Sequence, residues 1–347
     1  MLNLRPQGVP LVDVLRGELV ESVHNVAVCA SDPHGRSLFE LGDVDIPVYL
    51  RSSAKPFIAA AIVSAGVVEV FGLDAREIAV ISATHSGESE HIDAVRSILQ
   101  KAGIAESALA CGADQPGNAA VARRLVERGE PAGVLYNNCS GKHAGILALS
   151  KLLGVDPAGY LDRHHPAQVH ILAFCARVMG VAIESLHLGI DGCGIPVIAV
   201  SLRRAARAFA RFATLEDVTE TDAQALLTVR QAVVAEPFYL AGSGCFDTAL
   251  IEATRGRVVG KGGVEGTHAS ALIERGCGLV LKVIDGNKRA TPPVVIAFLK
   301  TLQALDPEAE RFLAEFAEPL VRNVAGRIVG RVQVSLPYLE RSREVAS

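Results

Sequence analysis

The chain has 347 residues, of which 50% are hydrophobic and 21% are charged, and its formal net charge is −4. A chain of this length and apolar content buries a sizeable core, which excludes an intrinsically disordered protein. The slightly negative charge creates no field that would gather a phosphate backbone, so we expect no nucleic-acid partner.

The first residues predict a cytoplasmic protein. Residues 1–25 carry several charges among their apolar residues and therefore lack the apolar core of a signal peptide. The longest apolar run, 57–73, is interrupted by polar residues and is too short for a comfortable membrane span, so we expect a buried helix there and no membrane partner. Seven scattered cysteines, an odd number, are untypical of a disulfide framework.

The chain opens with a predicted β-hairpin. Residues 23–30 and 36–41 are β-rich runs on either side of an Asp-Pro-His-Gly turn, and a further short strand, 48–51, leads to Ser52. Pro56 then fits the first turn of a helix, where its missing N–H is tolerated. We therefore expect Ser52 at a junction between a strand and a helix.

Helical periodicity dominates the middle of the chain. Apolar residues recur every three or four positions in the segments 93–102, 119–128, 144–153 and 222–234. Polar, glycine-bearing loops interrupt this region at 84–88, 137–143 and 189–196. Apolar or β-branched runs predict strands at 248–253, 257–261 and 279–284, and a closing helix is predicted over 292–305.

Strands near both ends with helices between them predict an α+β fold in which the terminal segments pair in one antiparallel sheet. No repeat, low-complexity tract or linker divides the chain, so we predict a single domain over 1–347 with two lobes. The sheet lobe would comprise about 1–51 and 245–347, and the helical lobe about 52–244.

The most informative motif is the Ser-Ser-Ala-Lys run at residues 52–55. Residues i and i+3 share one helix face, so the Lys55 amine can lie within hydrogen-bond reach of the Ser52 hydroxyl. Lysine becomes a base only if its pKa falls well below about 10.4, which burial or a nearby cation, such as Arg51 or Lys261, could cause. The motif predicts covalent hydrolysis with Ser52 as the nucleophile and Lys55 as its base.

Two further segments carry groups that suit this chemistry. Lys261 stands in a Gly-Lys-Gly-Gly run at the end of a predicted strand. Penicillin-recognising enzymes have a similar lysine, followed by Thr-Gly, beside the serine of their Ser-x-x-Lys motif. Taken alone, it is also compatible with an ordinary hairpin lysine. Thr84 could supply a second hydroxyl for proton relay or substrate binding, or its loop could simply cap the next helix.

Two loops carry potential metal ligands. Cys139 lies in a Cys-Ser-Gly-Lys-His run and Cys193 in an Asp-Gly-Cys run, and a zinc site can be drawn from these cysteines and either His143 or Lys142. The general preferences of zinc favour His143, because lysine must lose a proton before it binds a metal. The alternative is that these residues bind no metal.

Together these segments resemble the rhizobial-type asparaginase II family. The resemblance covers nearly the whole chain and rests on the runs at 51–56, 84–88, 138–145, 191–196, 260–263 and 285–287. Its most specific part is the Cys-Ser-Gly-Lys-His run. It implies a fold similar to serine β-lactamases and glutaminases, hydrolysis of L-asparagine to L-aspartate and ammonia, a bound zinc ion and a homodimer.

The resemblance also implies roles for the catalytic residues. Ser52 and Lys55 match the nucleophile and base, and Lys261 matches the partner of the Thr84 hydroxyl in a second tandem. The family can have serine where this chain has Thr84. The added methyl group restricts the side-chain rotamers and crowds a nucleophilic role, which favours Ser52 as the nucleophile.

The remaining matches concern zinc and substrate. Cys139, Lys142 and Cys193 match the zinc positions, so His143 would instead contact the carboxylate or the amine of the substrate. Asp191 would lie near the metal or hold the substrate. Arg51 would help to bind the substrate and would lower the pKa of the neighbouring lysine.

Two alternative functions remain open at this point. One is another Ser-Lys amidase, such as a glutaminase or a β-lactam-type hydrolase, which substrate profiling would distinguish. The other is a non-catalytic, zinc-stabilised amino-acid-binding protein, which would bind asparagine in calorimetry without releasing product.

Overall fold

The structure is a computed structural model that describes residues 5–335. The strands, in chain order, are β1 (Val9–Arg16), β2 (Leu19–Ser31), β3 (Ser37–Leu41), β4 (Pro47–Tyr49), β5 (His187–Ile190), β6 (Pro196–Ser201), β7 (Val258–Gly263), β8 (Thr267–Leu272), β9 (Cys277–Val283), β10 (Leu320–Arg322) and β11 (Ile328–Val334). The helices are α1 (Lys55–Ser64), α2 (Val67–Phe71), α3 (Ala75–Ile81), α4 (Ser89–Lys101), α5 (Ala119–Arg128), α6 (Ser140–Leu152), α7 (Pro166–Met179), α8 (Leu202–Thr214), α9 (Glu220–Ala235), α10 (Pro237–Ala241), α11 (Phe246–Ala253), α12 (Thr291–Thr301), α13 (Pro307–Phe312) and α14 (Ala314–Ala317).

The described chain forms two compact units. Unit 1 contains the residues up to 53, 199–217 and the residues from 249 onwards, and unit 2 contains 54–198 and 218–248. These units differ from the predicted lobes mainly because residues 199–217, which include α8, belong with the strands. The physical reason is that α8 packs on β2, β8 and β9 of the sheet.

Unit 1 is built on one antiparallel sheet. Its strand order is β10-β11-β1-β2-β9-β8-β7. Strand β3 pairs with Val28–Ser31 of β2, beyond the part of β2 that pairs with β1. N-terminal β2 lies beside C-terminal β9, with Val26 opposite Val283 and Ser31 opposite Gly278. The prediction of an α+β fold whose terminal strands share one antiparallel sheet is therefore confirmed.

Glycine allows α8 to approach this sheet closely. A Cβ atom on Gly278 would lie 2.1 Å from the carbonyl oxygen of Ala206 in α8, which is far inside contact distance. A side chain at residue 278 would therefore push the helix off β9. The opposite face of the same strands is covered by α12, which contacts β1, β8, β9 and β11.

Unit 2 is helical. Helix α1 packs against α6, α7 and α9, and α3 packs against α6 and α9. Nine of the ten residues of α1 are buried. Lys55 is one of them, and the other eight are apolar. An all-round apolar helix of this kind is typical of the interior of a large unit. Within residues 5–335 no helix is long and apolar enough to cross a membrane.

Several predicted elements are corrected by the structure. Residues 248–253, predicted as a strand, belong to helix α11, because a short apolar run does not distinguish a strand from a buried helix. The strand predicted over 48–51 ends at Tyr49 and gives way to a 3-10 turn, Arg51–Ala54. Six strands had no sequence prediction, since their pattern depends on their neighbours in the sheet: β1, β5, β6, β8, β10 and β11. The loop predicted over 189–196 includes the end of β5 and the first residue of β6.

Candidate active site

The predicted site residues are divided between the two units. Unit 1 contains Arg51, Ser52 and Lys261. Unit 2 contains the remaining ones: Lys55, Thr84, Cys139, Lys142, His143, Asp191 and Cys193. Each group is described within its own unit.

In unit 1, Ser52 lies in the 3-10 turn that follows β4. The turn begins at Arg51, whose backbone is left-handed with φ of 52°, a conformation that costs free energy in a residue other than glycine. Ser52 and Ser53 are both buried, and the Ser53 N–H donates to the Leu50 carbonyl at 3.0 Å. The hydroxyl of Ser53 has no hydrogen-bond partner among the described residues. The turn thus holds two buried serines side by side.

The same unit places Lys261 near the start of this turn. Lys261 is buried in β7, and its Nζ donates to the Gly262 carbonyl at 2.9 Å. The Thr267 hydroxyl of β8 donates to the Leu50 carbonyl at 3.3 Å, and a Cβ atom on Gly263 would lie 2.9 Å from that same carbonyl oxygen. Glycine at 263 therefore lets the segment before Ser52 lie against the strand pair that carries Lys261.

In unit 2, Lys55 is the centre of a hydrogen-bond cluster. Its side chain is almost completely buried at the start of α1. Its Nζ donates to the Ala83 carbonyl at 2.5 Å, to the Thr84 hydroxyl at 3.1 Å and to the Asn138 carbonyl at 3.5 Å. One lysine therefore joins α1 to the loop after α3 and to the loop before α6, and all three of these acceptors are neutral oxygens.

The loop that carries Thr84 is held from a second side. The Thr84 N–H donates to the Leu240 carbonyl at 3.0 Å. The Glu88 carboxylate accepts from the Ser86 hydroxyl at 2.7 Å and from the backbone N–H of Ser243 at 2.9 Å. These bonds tie the loop to the segment after α10, so the Thr84 hydroxyl has a fixed position. The alternative that this loop only caps α4 is not favoured, because Glu88 occupies the cap position without a side-chain cap bond.

The glycine of the Cys-Ser-Gly-Lys-His run has a steric role. A Cβ atom on Gly141 would lie 2.2 Å from the Val80 carbonyl oxygen, so only glycine permits the start of α6 to meet the end of α3. This close packing places Asn138 next to Lys55. Cys139, two residues before the glycine, and Lys142, the residue after it, are buried in the interior of unit 2.

A second cluster lies around Lys142. Its Nζ donates to the Cys193 sulfur at 3.0 Å, and the Cys193 sulfur lies 3.9 Å from the Asp191 carboxylate. The Cys139 sulfur lies 3.2 Å from Oδ1 of Asn138, the residue whose carbonyl accepts from Lys55. The fold thus brings together Cys139, Lys142, Cys193 and Asp191, which are up to 54 residues apart in the sequence.

The two cysteines form a coupled pair with one low pKa. A hydrogen bond with Cys193 holds the pKa of Cys139 well below its usual value, and the Lys142 charge acts in the same direction against the effect of burial. The same hydrogen bond and burial raise the pKa of Cys193. Burial lowers the pKa of Lys142, but the attraction of the two sulfurs outweighs it, and the pKa is raised overall. The cluster therefore stabilises a thiolate next to an ammonium group.

These residues fit a zinc ion in their chemistry. Zinc prefers sulfur and nitrogen ligands, and this cluster offers two cysteine sulfurs and an amine. Among residues 5–335 no three His, Cys, Asp or Glu side chains are grouped so that they could hold a metal. A zinc site here would consequently need Lys142 as a ligand, and the set with His143 drawn from general preferences is not supported.

His143 lies next along α6, with a different partner. Its Nδ1 lies 2.7 Å from the hydroxyl of Tyr160, and its Nε2 has no hydrogen-bond partner within the described part of the chain. Burial holds the pKa of His143 well below its usual value, and the charges of Lys142 and Lys55 add to this shift. The sequence predicted no role for Tyr160 or Asn138, although both contact candidate site residues. Asn138 lies in the polar loop predicted over 137–143, whereas no sequence pattern pointed to Tyr160.

The chain was compared with known families and structures. The family model of L-asparaginase II matches residues 12–334. The chain belongs to the L-asparaginase II family. This membership supports a hydrolase that acts on a small amide substrate. No curated protein gives a significant match.

Solved structures give only distant likenesses to this asparaginase-family chain. Mglu is 14% identical to this chain, with a TM-score of 0.37, and the match covers 81% of this chain and 67% of the Mglu chain. The L-glutamate-binding form of Mglu has the same identity and TM-score, and its match covers 80% of this chain and 60% of that one. A structure from Bacteroides dorei DSM 17855, provisionally named a beta-lactamase, is 14% identical with a TM-score of 0.37 over 74% of this chain and 84% of its own. The chain spans between 59% and 67% of the Mglu chains. At these TM-scores the likenesses support no statement about the chemistry of this chain.

The close packing at Gly141 generates a prediction. We expect Gly141→Ala to lower the stability of the protein by about 1–3 kcal/mol, because the new methyl group forces α6 away from the Val80 carbonyl. The matched control is Gly133→Ala, where a Cβ atom meets no neighbour within 4 Å and φ is −90°. Thermal and urea unfolding would compare both variants with the wild type. Equal stability of the two variants would contradict the steric role of Gly141.

Proposed function

We propose that this protein hydrolyses L-asparagine to L-aspartate and ammonia. The family membership supports an amidase, and asparagine is the substrate that the sequence resemblance implies. The observation that carries the proposal is the buried Lys55 amine, which contacts the Thr84 hydroxyl at 3.1 Å and follows Ser52 by three residues in the chain.

In the proposed reaction Ser52 is the nucleophile. Its hydroxyl attacks the side-chain amide carbon of asparagine and gives its proton to Lys55, which passes a proton to the leaving ammonia. Water then hydrolyses the β-aspartyl ester and releases aspartate. Burial disfavours the charged form of an amine, and the Lys55 amine is almost completely buried, which suits the role of a base. Its interaction with Cys139, whose pKa Lys55 helps to lower, acts in the opposite direction.

The other predicted residues receive supporting roles. We propose that Thr84, with Lys261 as its expected partner, relays protons or holds the substrate amide. Arg51, His143 and Asp191 would hold the amino-acid head of the substrate. A site that pairs both charges of this head discriminates strongly against simple amides, because buried groups would otherwise stay unpaired.

We also propose a bound zinc ion, held by Cys139, Lys142 and Cys193. Zinc in such a site would supply positive charge and a fixed loop geometry, while nucleophile and base come from the chain itself. The homodimer implied by the resemblance and a cytoplasmic location are further parts of the proposal. Sedimentation of the purified protein would test the dimer.

The first experiment measures ammonia release from L-asparagine. We expect release by the wild type and a loss of about 10³-fold or more in Ser52→Ala, because the nucleophile is removed. Ser53→Ala is the matched control, since it deletes a buried hydroxyl that has no partner in residues 5–335. Activity that survives in folded Ser52→Ala but is lost in Ser53→Ala would overturn the assignment. Release from glutamine instead of asparagine would replace the proposed substrate.

The zinc proposal predicts the metal content of the purified chain. We expect Cys193→Ser to lower bound zinc about tenfold or more, because one of three protein ligands loses its thiolate. Cys245→Ser, which removes a half-buried thiol outside the cluster, is the control. Elemental analysis would give zinc per chain. We also expect zinc affinity to fall as the pH is lowered, since the raised pKa of Lys142 makes protons compete with the metal. Wild-type protein that binds no zinc when the metal is supplied would contradict the proposal.

A further inference from the structure

Tyr160 makes an unusual set of contacts with His143. Its side chain is buried, and its hydroxyl oxygen accepts the Ala110 N–H at 2.8 Å while lying 2.7 Å from Nδ1 of His143. The backbone of Tyr160 is fixed by Gln168, whose side-chain amide donates to the Tyr160 carbonyl at 2.8 Å. The two rings meet edge to face, with an interplanar angle of 80°. The hydroxyl therefore has a defined position and two polar neighbours.

Counting protons at this hydroxyl decides the tautomer of His143. The backbone N–H of Ala110 can only donate, so the phenol proton has one acceptor available to it, the Nδ1 lone pair of His143. If Nδ1 carried a proton instead, two donors would point at the Tyr160 oxygen and the phenol proton would have no acceptor among the described residues. In either tautomer one buried donor lacks a partner, the phenol O–H or the Nε2–H. The arrangement with Nδ1 unprotonated is favoured because the phenol is the better donor of the two groups and the imidazole nitrogen is the better acceptor.

We propose that Tyr160 is a positioning residue that holds His143 as the Nε2–H tautomer, so that His143 donates a hydrogen bond to the carboxylate of the substrate. The Nε2 atom is buried and has no partner within residues 5–335, and the proposed substrate contact would give this donor its acceptor. An N–H group can bind a carboxylate oxygen but cannot accept from an ammonium group. Of the two substrate contacts expected for His143, the tautomer therefore selects the carboxylate. The carboxylate contact rests on the proposed function, whereas the tautomer does not.

The tautomer is tested by NMR on the full-length protein labelled with ¹⁵N histidine. Long-range ¹H–¹⁵N spectra distinguish a protonated from an unprotonated ring nitrogen, and His143→Gln identifies the His143 signals by their loss. We expect a protonated Nε2 and an unprotonated Nδ1 in the wild type, and a shift of the proton towards Nδ1 in Tyr160→Phe. A proton on Nδ1 in the wild type, or an unchanged tautomer in Tyr160→Phe, would overturn the role of Tyr160.

The carboxylate contact is tested by kinetics with three substrates. We expect Tyr160→Phe to raise KM for L-asparagine about tenfold with a smaller change in kcat, as the loss of one hydrogen bond to a charged group predicts. For an analogue without the α-amine, KM should rise by the same factor in Tyr160→Phe. For an analogue with a neutral amide in place of the α-carboxylate, KM should change little. A penalty that depends on the amine instead of the carboxylate would overturn the contact.

A double-mutant cycle separates this role from a loss of folding. If Tyr160 acts through His143, Tyr160→Phe should add little to the KM of His143→Gln, whereas general destabilisation would add its full effect. Full additivity would overturn the proposal. If wild-type protein releases no ammonia from asparagine, the proposed function and the carboxylate contact fail together, and the NMR spectrum still decides whether Tyr160 sets the tautomer.

Discussion

The buried amine of Lys55 is the contact on which the candidate site of unit 2 depends. Taking an amine out of water is costly unless its protons find acceptors, and Lys55 finds three oxygens on two separate loops. Those loops can reach it only if α6 begins directly against the end of α3, which in turn needs glycine at position 141. The hydroxyl of Thr84 and the backbone of Asn138 are thus placed by the same interaction that satisfies the lysine.

Unit 2 buries a second lysine, and the two have different partners. Lys142 lies against the sulfurs of a cysteine pair, which raise its pKa and favour the ammonium form. Lys55 donates to three neutral oxygens and also interacts with Cys139, whose pKa it helps to lower. A base must exist in its neutral form for part of the time, and the proposed function gives this task to Lys55. Lys142 suits charge stabilisation or, after it loses a proton, metal binding. The proposed function thus gives different tasks to the two buried lysines of this unit.

Much of this arrangement could be predicted from local sequence patterns, and the failures have physical causes. Helix α5 begins and ends where its apolar period predicts, because it is an amphipathic helix with an asparagine cap. The run 248–253 was predicted as a strand because six mostly apolar residues carry no period that excludes a helix. Tyr160 had no signal at all. Its role comes from contacts with Ala110 and His143, which lie 50 and 17 residues away and meet it only in the folded chain. Local patterns predict elements and motifs, whereas such long-range polar contacts depend on the tertiary structure.

The choice between His143 and Lys142 as a metal ligand shows how such a contact decides chemistry. From general preferences histidine is the better zinc ligand, since it binds without first losing a strongly held proton. An imidazole binds a metal through an unprotonated nitrogen, however, and at His143 the Tyr160 hydroxyl occupies Nδ1. Because the proposed tautomer places the remaining proton on Nε2, neither nitrogen keeps a free lone pair. In the proposed zinc site the amine of Lys142 would therefore be the nitrogen ligand beside the sulfurs of Cys139 and Cys193. His143, which would not bind the metal, would keep its proposed role of binding the substrate.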